Sequence, residues 1–218
     1  MTLFVVIAIV LVAIASGVAL LILQIQRMAE KRQLDDAMGE SRRWVEQLAG
    51  QVMHLTGTTT AARQALADAS ERYTAAGSQL SLAGTVEQAE LAKKTAVEGL
   101  YYIRAARIAM DLAPGPALPE DTERARAGVV TEHRKAEIGG ERYEASPRPG
   151  QDTPHHYPGG EVAGRPVPRG WYNRPWWKAA LVGGAWESGA AVLFSSLLGG
   201  MVRATGSGEG RDSWDRRA

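Results

Sequence analysis

The chain has 218 residues, of which 45% are hydrophobic and 22% charged, and its formal net charge is +1. This length is enough for one or two small domains. The charge balance gives no argument for nucleic-acid binding. Because there is no cysteine, disulfides, thiolate metal sites and cysteine nucleophiles are excluded. The uneven distribution of apolar residues and prolines divides the chain into five predicted segments: 1–23, 24–112, 113–175, 176–202 and 203–218.

The first segment is an uncharged apolar run. Leu3–Leu23 contains 21 residues without a charge. As a helix it would be about 31 Å long, close to the thickness of the hydrocarbon core of a bilayer. The alternative, a cleaved signal peptide, lacks a positively charged start. Arg27, Lys31 and Arg32 follow the run and no Lys or Arg precedes it. We therefore predict a transmembrane anchor in the cell membrane, with the N-terminus outside and the bulk of the chain cytoplasmic.

The second segment is typical of packed helices. A 3-4 spacing of mostly apolar residues runs from Leu34 to Ala83, and this period of 3.5 predicts a coiled-coil-like helix packed along one seam. Gly57 and the threonines after it favour a kink or a break in this run. Thr85 opens a capping-box sequence, which predicts a second helix over Val86–Leu112 and hence a helical hairpin. The predicted seam is Leu34, Met38, Ser41, Val45, Leu48, Val52, Leu55, Thr59, Ala62, Leu66, Ala69, Tyr73, Ala76, Leu80 and Ala83; the face of the second helix is Ala89, Ala96, Leu100, Ile103, Ala106 and Met110.

Two tyrosines and two arginines form a local basic-aromatic group on the second predicted helix. They are Tyr101, Tyr102, Arg104 and Arg107. One interpretation is a partner or lipid contact, and the other is that the tyrosines pack internally while the arginines are solvated.

The third segment, 113–175, contains all ten prolines and lacks helical periodicity, which predicts an irregular region. One small β-hairpin fits within it, with a strand around 129–138, a turn at Gly139-Gly140 and a strand over 141–145. The histidine pair His155-His156 has no further metal ligands nearby in sequence, so we interpret it as part of a polar loop. No phosphate-binding loop or activated nucleophile is evident.

The fourth segment begins with clustered aromatic residues and ends in an apolar run. Trp171, Tyr172, Trp176, Trp177 and Lys178 are typical of a membrane-interface anchor. Residues 179–202 follow, with one charge, Glu187. Because an acidic residue within a bilayer costs about 3 kcal/mol, three interpretations stay open: a second span with Glu187 as an intramembrane acid, an interfacial segment, or a packed apolar helix. The tail 203–218 is predicted to be disordered.

Four strings in this half of the chain resemble a family of actinobacterial membrane proteins. They cover 98–119 (EGLYYIRAARIAMDLAPGPALP), 143–150, 155–172 and 175–201. The resemblance implies residence in a membrane and no particular activity, so no catalytic residue follows from it.

The segments together predict a mainly α fold. A transmembrane helix continues into a helical hairpin, followed by a Pro/Gly-rich irregular region and a C-terminal apolar helix. We expect a non-enzymatic, membrane-anchored scaffold or accessory protein, without cofactor or metal. Its predicted partners are membrane lipid and a protein partner or a second copy bound through the heptad face; no nucleic acid or small-molecule ligand is indicated. The alternatives are a two-span protein that handles an ion or solute through Glu187 and an enzyme working at the membrane surface.

Overall fold

The computed structural model describes residues 2–119, 122–138 and 140–178; the side chains of residues 2, 3, 5–16, 18, 19 and 138 are outside this description. The chain is mainly helical with a small sheet region. The helices are α1 (Thr2–His54), α2 (Thr60–Leu82), α3 (Val86–Ile108) and α4 (Thr122–Ala127). The strands are β1 (Arg134–Ile138), β2 (Glu141–Ser146), β3 (His155–Tyr157), β4 (Gly160–Val162), β5 (Arg165–Val167) and β6 (Gly170–Tyr172).

α1 is one continuous helix that joins the apolar N-terminal run to the rest of the protein. Residues 20–33 are all exposed, and the large apolar side chains of Leu20, Ile25 and Met28 are each more than half exposed. Among the residues that the structure describes, no helix is long and apolar enough to cross a membrane. The predicted apolar segment 179–202 and the tail 203–218 lie outside the described residues.

The helix predicted from Leu34 to Ala83 is divided in two. α1 ends at His54 and α2 begins at Thr60, so the predicted two-helix hairpin is wrong and the segment forms a three-helix bundle. α1 and α3 run parallel, because contacts such as Ser41 Oγ to Ala89 O (2.7 Å) and Arg107 Nη1 to Gln51 Oε1 (3.4 Å) follow the same direction along both helices. α2 runs antiparallel between them.

The sequence of the break explains where α1 stops. Gly57 and Thr58 are weak helix formers. Thr59 takes the N-cap position of α2, and its Oγ1 accepts a hydrogen bond from Ala62 N at 3.1 Å. A Cβ at Gly57 would lie 2.7 Å from Arg63 N, so the tight approach of the loop to α2 requires glycine. Of the two alternatives at this place, a kink or a break, the structure has the break.

The start of α3 follows the predicted capping sequence. Thr85 is the N-cap, and its Oγ1 accepts a hydrogen bond from Gln88 N at 3.3 Å. Gln88 Oε1 in turn accepts from Gly84 N at 2.7 Å, one residue before the position used in a standard capping box.

The predicted seam faces the inside of the bundle on both sides of the break. It is therefore covered by the protein's own helices, and a protein partner or second copy stays a prediction. α3 supplies its predicted face to the same core. Buried seam residues are Ser41, Val45, Leu48, Ala62, Ala69, Ala76 and Leu80, partly buried ones are Met38, Val52, Leu55, Leu66 and Tyr73, and the buried α3 residues are Ala89, Ala96, Leu100, Ile103 and Ala106.

Residues 128–178 form a small β module where the sequence predicts an irregular region. Its four-stranded sheet has the order β1-β2-β6-β3, and β4 and β5 form a separate two-stranded sheet. β1 and β2 pair antiparallel, with Ile138 opposite Glu141, at the place where the sequence predicts a hairpin. Three large aromatic side chains, Tyr157, Tyr172 and Trp177, build the core together with valines. Large rings allow very short strands to bury enough apolar area to fold.

The closest approach of α1 to α3 occurs at Gly99, and it generates a first prediction. A Cβ at Gly99 would lie 2.4 Å from Cδ2 of the fully buried Leu48 and 3.1 Å from Arg72 Cβ. We expect Gly99→Ala to lower the free energy of unfolding by about 1–3 kcal/mol, because the tightly packed core cannot move aside freely.

Gly77→Ala is the matched control, since a Cβ there meets nothing within 4 Å. It should raise the free energy of unfolding by up to about 1 kcal/mol through helix propensity. Thermal unfolding followed by circular dichroism measures both variants, and equal effects would contradict the packing at Gly99.

Candidate functional site

A buried tryptophan forms the main apolar contact described between the β module and the bundle. Trp171 of β6 is 3% exposed and packs on a platform of six alanines from α2 and α3. Small side chains let the indole ring approach two helices at once, which a platform of leucines would prevent. We call this set the alanine platform; its members are Ala61, Ala62, Ala65, Ala105, Ala106 and Ala109.

An ion pair with one buried partner, Asp68, also joins the two parts of the protein. Lys178 Nζ donates to Asp68 Oδ1 at 2.7 Å and to Glu71 Oε2 at 3.1 Å. Burial raises the pKa of the Asp68 carboxyl, and the hydrogen bond from Lys178 only partly opposes that shift. Burial likewise raises the pKa of Glu98, against the opposing charge of Arg72 at 3.7 Å. Lys178 therefore ties the end of the β module to the middle of α2, whereas Arg72 and Glu98 join α2 to α3.

His156 is enclosed between the two halves of the protein. Its ring centroid lies 4.9 Å from that of Trp171 and 6.1 Å from that of Tyr102, both in edge-on arrangements. Burial, with a smaller contribution from the nearby Arg169 guanidinium, lowers the pKa of His156 to about 3. The ring is therefore neutral at pH 7, and its Nδ1 is buried without a hydrogen-bond partner. His155 Nδ1 is also buried without a partner.

A cavity of about 360 Å³ opens next to His156. It contains two guanidinium-bearing residues, Arg104 and Arg169, and none of its described lining residues is acidic. Arg104 Nη1 donates to Pro116 O at 3.0 Å, whereas the Arg169 side chain is exposed at the mouth. We call it the histidine cavity; its lining is Tyr101, Arg104, Ala105 and Ile108 of α3 with Val129, Val130, Pro147, His156, Arg169, Gly170 and Trp171.

A second cavity of about 460 Å³ adjoins the first at Ile108. It lies at the break between α1 and α2, where Thr58, Thr59 and Arg63 face Asp111. Arg63 Nη2 already donates to a threonine hydroxyl at 3.2 Å. The two cavities share the Ile108 side chain in their linings and together form one concave face.

The predicted membrane-interface anchor is wrong for three of its five residues. Trp171, Tyr172 and Trp177 are 3%, 2% and 1% exposed, so they belong to protein cores and cannot face a bilayer. Trp176 is partly buried against the same core, and Lys178 is held by the ion pair with α2. Aromatic residues next to cations are equally compatible with a membrane interface and with the core of a folded protein. The composition of this stretch therefore could not distinguish the two.

The group predicted as a partner or lipid patch has an internal role instead. Tyr101 and Tyr102 are 6% and 3% exposed, and Tyr101 Oη donates to Pro119 O at 3.1 Å. Arg107 Nε donates to Ala113 O at 2.7 Å. With Arg104, these side chains hold residues 113–119 against α3. Arg104 and Tyr101 also line the histidine cavity.

Sequence reasoning missed Arg169, His156 and Asp68 as members of one region. Arg169 and His156 lie in or beside strands of three residues, which are too short to show alternation. One sequence feature could have pointed to Asp68, because it is an acidic residue within an alanine-rich helical run. Glu187 lies outside the described residues. Among described residues, no group of three or more histidines, aspartates and glutamates is arranged to hold a metal ion.

No family model, curated protein or solved structure matches this chain. A function for this protein therefore has to be inferred from the geometry of the site and from the sequence.

The neutral state of His156 gives a second prediction. Its pKa in the folded protein, about 3, lies below the ordinary value of about 6.5. The contribution of the neutral His156 ring to the free energy of unfolding is therefore fully present above pH 6.5. It is lost as the pH falls from 6.5 toward 3, because the unfolded chain takes up a proton that the folded protein does not. Between pH 7 and pH 5 the loss from this group should be about 2 kcal/mol.

His156→Phe, which keeps a ring on Trp171, should remove this part of the pH dependence. Urea unfolding of the full chain in mild detergent at pH 7 and pH 5 measures it. The exposed His54→Gln is the control and should behave like the unsubstituted protein. An unchanged difference between the two pH values in His156→Phe would show that His156 is not buried as described.

Proposed function

We propose that this chain is a membrane-anchored, non-enzymatic scaffold or accessory protein. In this proposal the N-terminal part of α1 lies in the cell membrane and the bundle with its β module stands on the cytoplasmic side. The concave face formed by the two cavities is the surface presented for binding.

One observation carries the proposal. The uncharged run Leu3–Leu23 continues into an α1 helix whose residues 20–33 contact too little of the protein to be covered. Exposed Leu20, Leu21, Ile22 and Leu23 would be costly in water, and a bilayer is the environment that accepts a run of this length. The resemblance of 98–201 to actinobacterial membrane proteins supports the same proposal.

The part of α1 between the apolar run and the bundle acts as a stalk. Burial begins at Leu34 and Ala37, so residues 24–33 would hold the bundle about 15 Å from the end of the apolar run. Arg27, Lys31 and Arg32 lie on this stalk. Their charge favours the cytoplasmic side and the anionic lipid surface there.

The non-enzymatic part of the proposal is supported by what the cavities contain. Among the described residues, no hydroxyl that lines either cavity hydrogen-bonds to a histidine or a carboxylate. Asp68 is occupied by Lys178, and His156 is not paired with a carboxylate. The arrangement that activates a nucleophile therefore does not form there.

A third prediction tests the anchor. We expect the double substitution Val12→Lys and Ala15→Lys to move the protein from the alkali-resistant membrane pellet to the supernatant. Two charges at the centre of a span cost about 5–7 kcal/mol on insertion scales. The matched control is Gln24→Lys with Gln26→Lys, which adds the same charges outside the apolar run and should leave the protein in the pellet.

Retention of the first variant in the pellet would contradict a single N-terminal anchor. Circular dichroism of the released protein checks that the bundle is intact, so that loss from the membrane is not mistaken for unfolding.

A fourth prediction concerns orientation. A reporter inserted near Asp121 should report cytoplasm, because the positive residues of the stalk follow the apolar run. Replacing the basic residues that follow the run by glutamine should weaken that preference, while glutamine at Arg63, far beyond the run, should not; the replaced residues are Arg27, Lys31, Arg32, Arg42 and Arg43. An external signal from the unsubstituted protein would overturn the orientation.

A further inference from the structure

The histidine cavity has the composition of a site for a ligand that carries negative charge. Its volume of about 360 Å³ falls in the range of small-molecule pockets. Two arginines line it and no acidic residue is among its described lining. Guanidinium groups form paired, charge-assisted hydrogen bonds with carboxylates and phosphates.

Both arginines have guanidinium N–H groups that can donate hydrogen bonds to a ligand. Arg104 uses Nη1 for the carbonyls of Gly115 and Pro116, which fixes the side chain and leaves its other N–H groups available. The Arg169 side chain is exposed, while its backbone is held by hydrogen bonds to the strand-like segment at Gly128 and Val130. One guanidinium is therefore positioned in advance and the other can close on a ligand.

His156 contributes a neutral ring to the wall of the cavity. It is 7% exposed, and its Nδ1 is closed off from any water-sized group, so the arginines are the groups that can hold a ligand. Trp171 and Ile108 provide apolar walls for the body of such a ligand.

We propose that the histidine cavity binds a small soluble organic oxyanion, a carboxylate or a phosphate monoester with a compact apolar body. Arg104 and Arg169 hold the oxyanion, and the wall that includes Trp171 receives the apolar body. The assignment to an oxyanion stands on the bundle and the β module alone, whereas the choice of a soluble ligand over a lipid rests on the proposed anchor.

The position of the cavity favours a soluble ligand over a lipid of the same membrane. Gln51 of α1 is paired with Arg107 near the cavity end of α3. Residues 24–51 of a straight helix would separate the end of the apolar run from this level by about 42 Å. A lipid headgroup in that bilayer would not reach the cavity.

The test uses the full chain in nanodiscs and the intrinsic fluorescence of its tryptophans. Phenyl phosphate and benzoate at millimolar concentration should raise the unfolding temperature and change the fluorescence. Benzyl alcohol and benzylamine, which are neutral and cationic, should not, and inorganic phosphate should act more weakly. Equal effects of benzyl alcohol and phenyl phosphate would overturn the assignment to an oxyanion.

Variants separate the cavity from general attraction to positive charge. Arg169→Gln should weaken phenyl phosphate binding by about tenfold or more, as loss of a charge-assisted hydrogen bond predicts. Arg42→Gln, on the exposed face of α1, is the matched control and should bind normally. Val129→Phe leaves both arginines in place but puts a larger side chain into the opening of the histidine cavity. It should therefore abolish the binding of phenyl phosphate.

Each remaining outcome decides the proposal. Normal binding in both Arg169→Gln and Val129→Phe would overturn it, as would the absence of any response to phenyl phosphate and benzoate. Both substitutions are at exposed positions. An unfolding temperature equal to that of the unsubstituted protein, measured without ligand, shows that both variants remain folded. Competition by phosphatidylglycerol nanodiscs, but not by phosphatidylcholine ones, would assign the site to a lipid headgroup and overturn the soluble ligand.

Discussion

The packing of Trp171 on the alanine platform is the contact on which the rest of the structure depends. Alanine faces bring α2 and α3 close together, but each small side chain buries little apolar area. One tryptophan buries about 150–250 Å², which corresponds to an upper estimate of about 4–6 kcal/mol of apolar transfer free energy. The β module thus completes a core that the helices alone leave thin, and the two parts form one folding unit.

Charge placement follows from that contact. Once the β module sits on the helices, Asp68 is buried, and a buried carboxylate without a cation would be strongly destabilising. Lys178 meets it at 2.7 Å, so the ion pair compensates for the desolvation that the packing of Trp171 imposes. The same arrangement encloses His156 between Tyr102 and Trp171. The neutral histidine and the histidine cavity are thus consequences of how the two halves meet.

The sequence predicted the faces of the helices better than their ends or their partners. Leu48 and Leu100 were assigned to a core because a period of 3.5 reports directly which side of a helix is covered. The same period continues across the break at Gly57, where a tight loop returns the chain, so periodicity alone gave one helix instead of two. Trp171 and Trp177 were assigned to a membrane interface, since the composition of an aromatic core and of an interface is the same. The histidine cavity is lined by residues that are more than 60 positions apart in the sequence. A local sequence pattern cannot predict such long-range contacts.

α1 is one uninterrupted helix with a covered part and an uncovered part. From Leu34 onward its seam is covered by α2 and α3, whereas residues 20–33 are exposed although several of them are large and apolar. A helix that lacked an apolar partner over that stretch would gain little from extending so far beyond its bundle, because isolated helical segments are only marginally stable in water. The continuity of α1 is therefore most simply understood if the N-terminal part is stabilised by a second apolar environment. A helix fixed at both ends would then set the distance between that environment and the concave face that carries the two cavities.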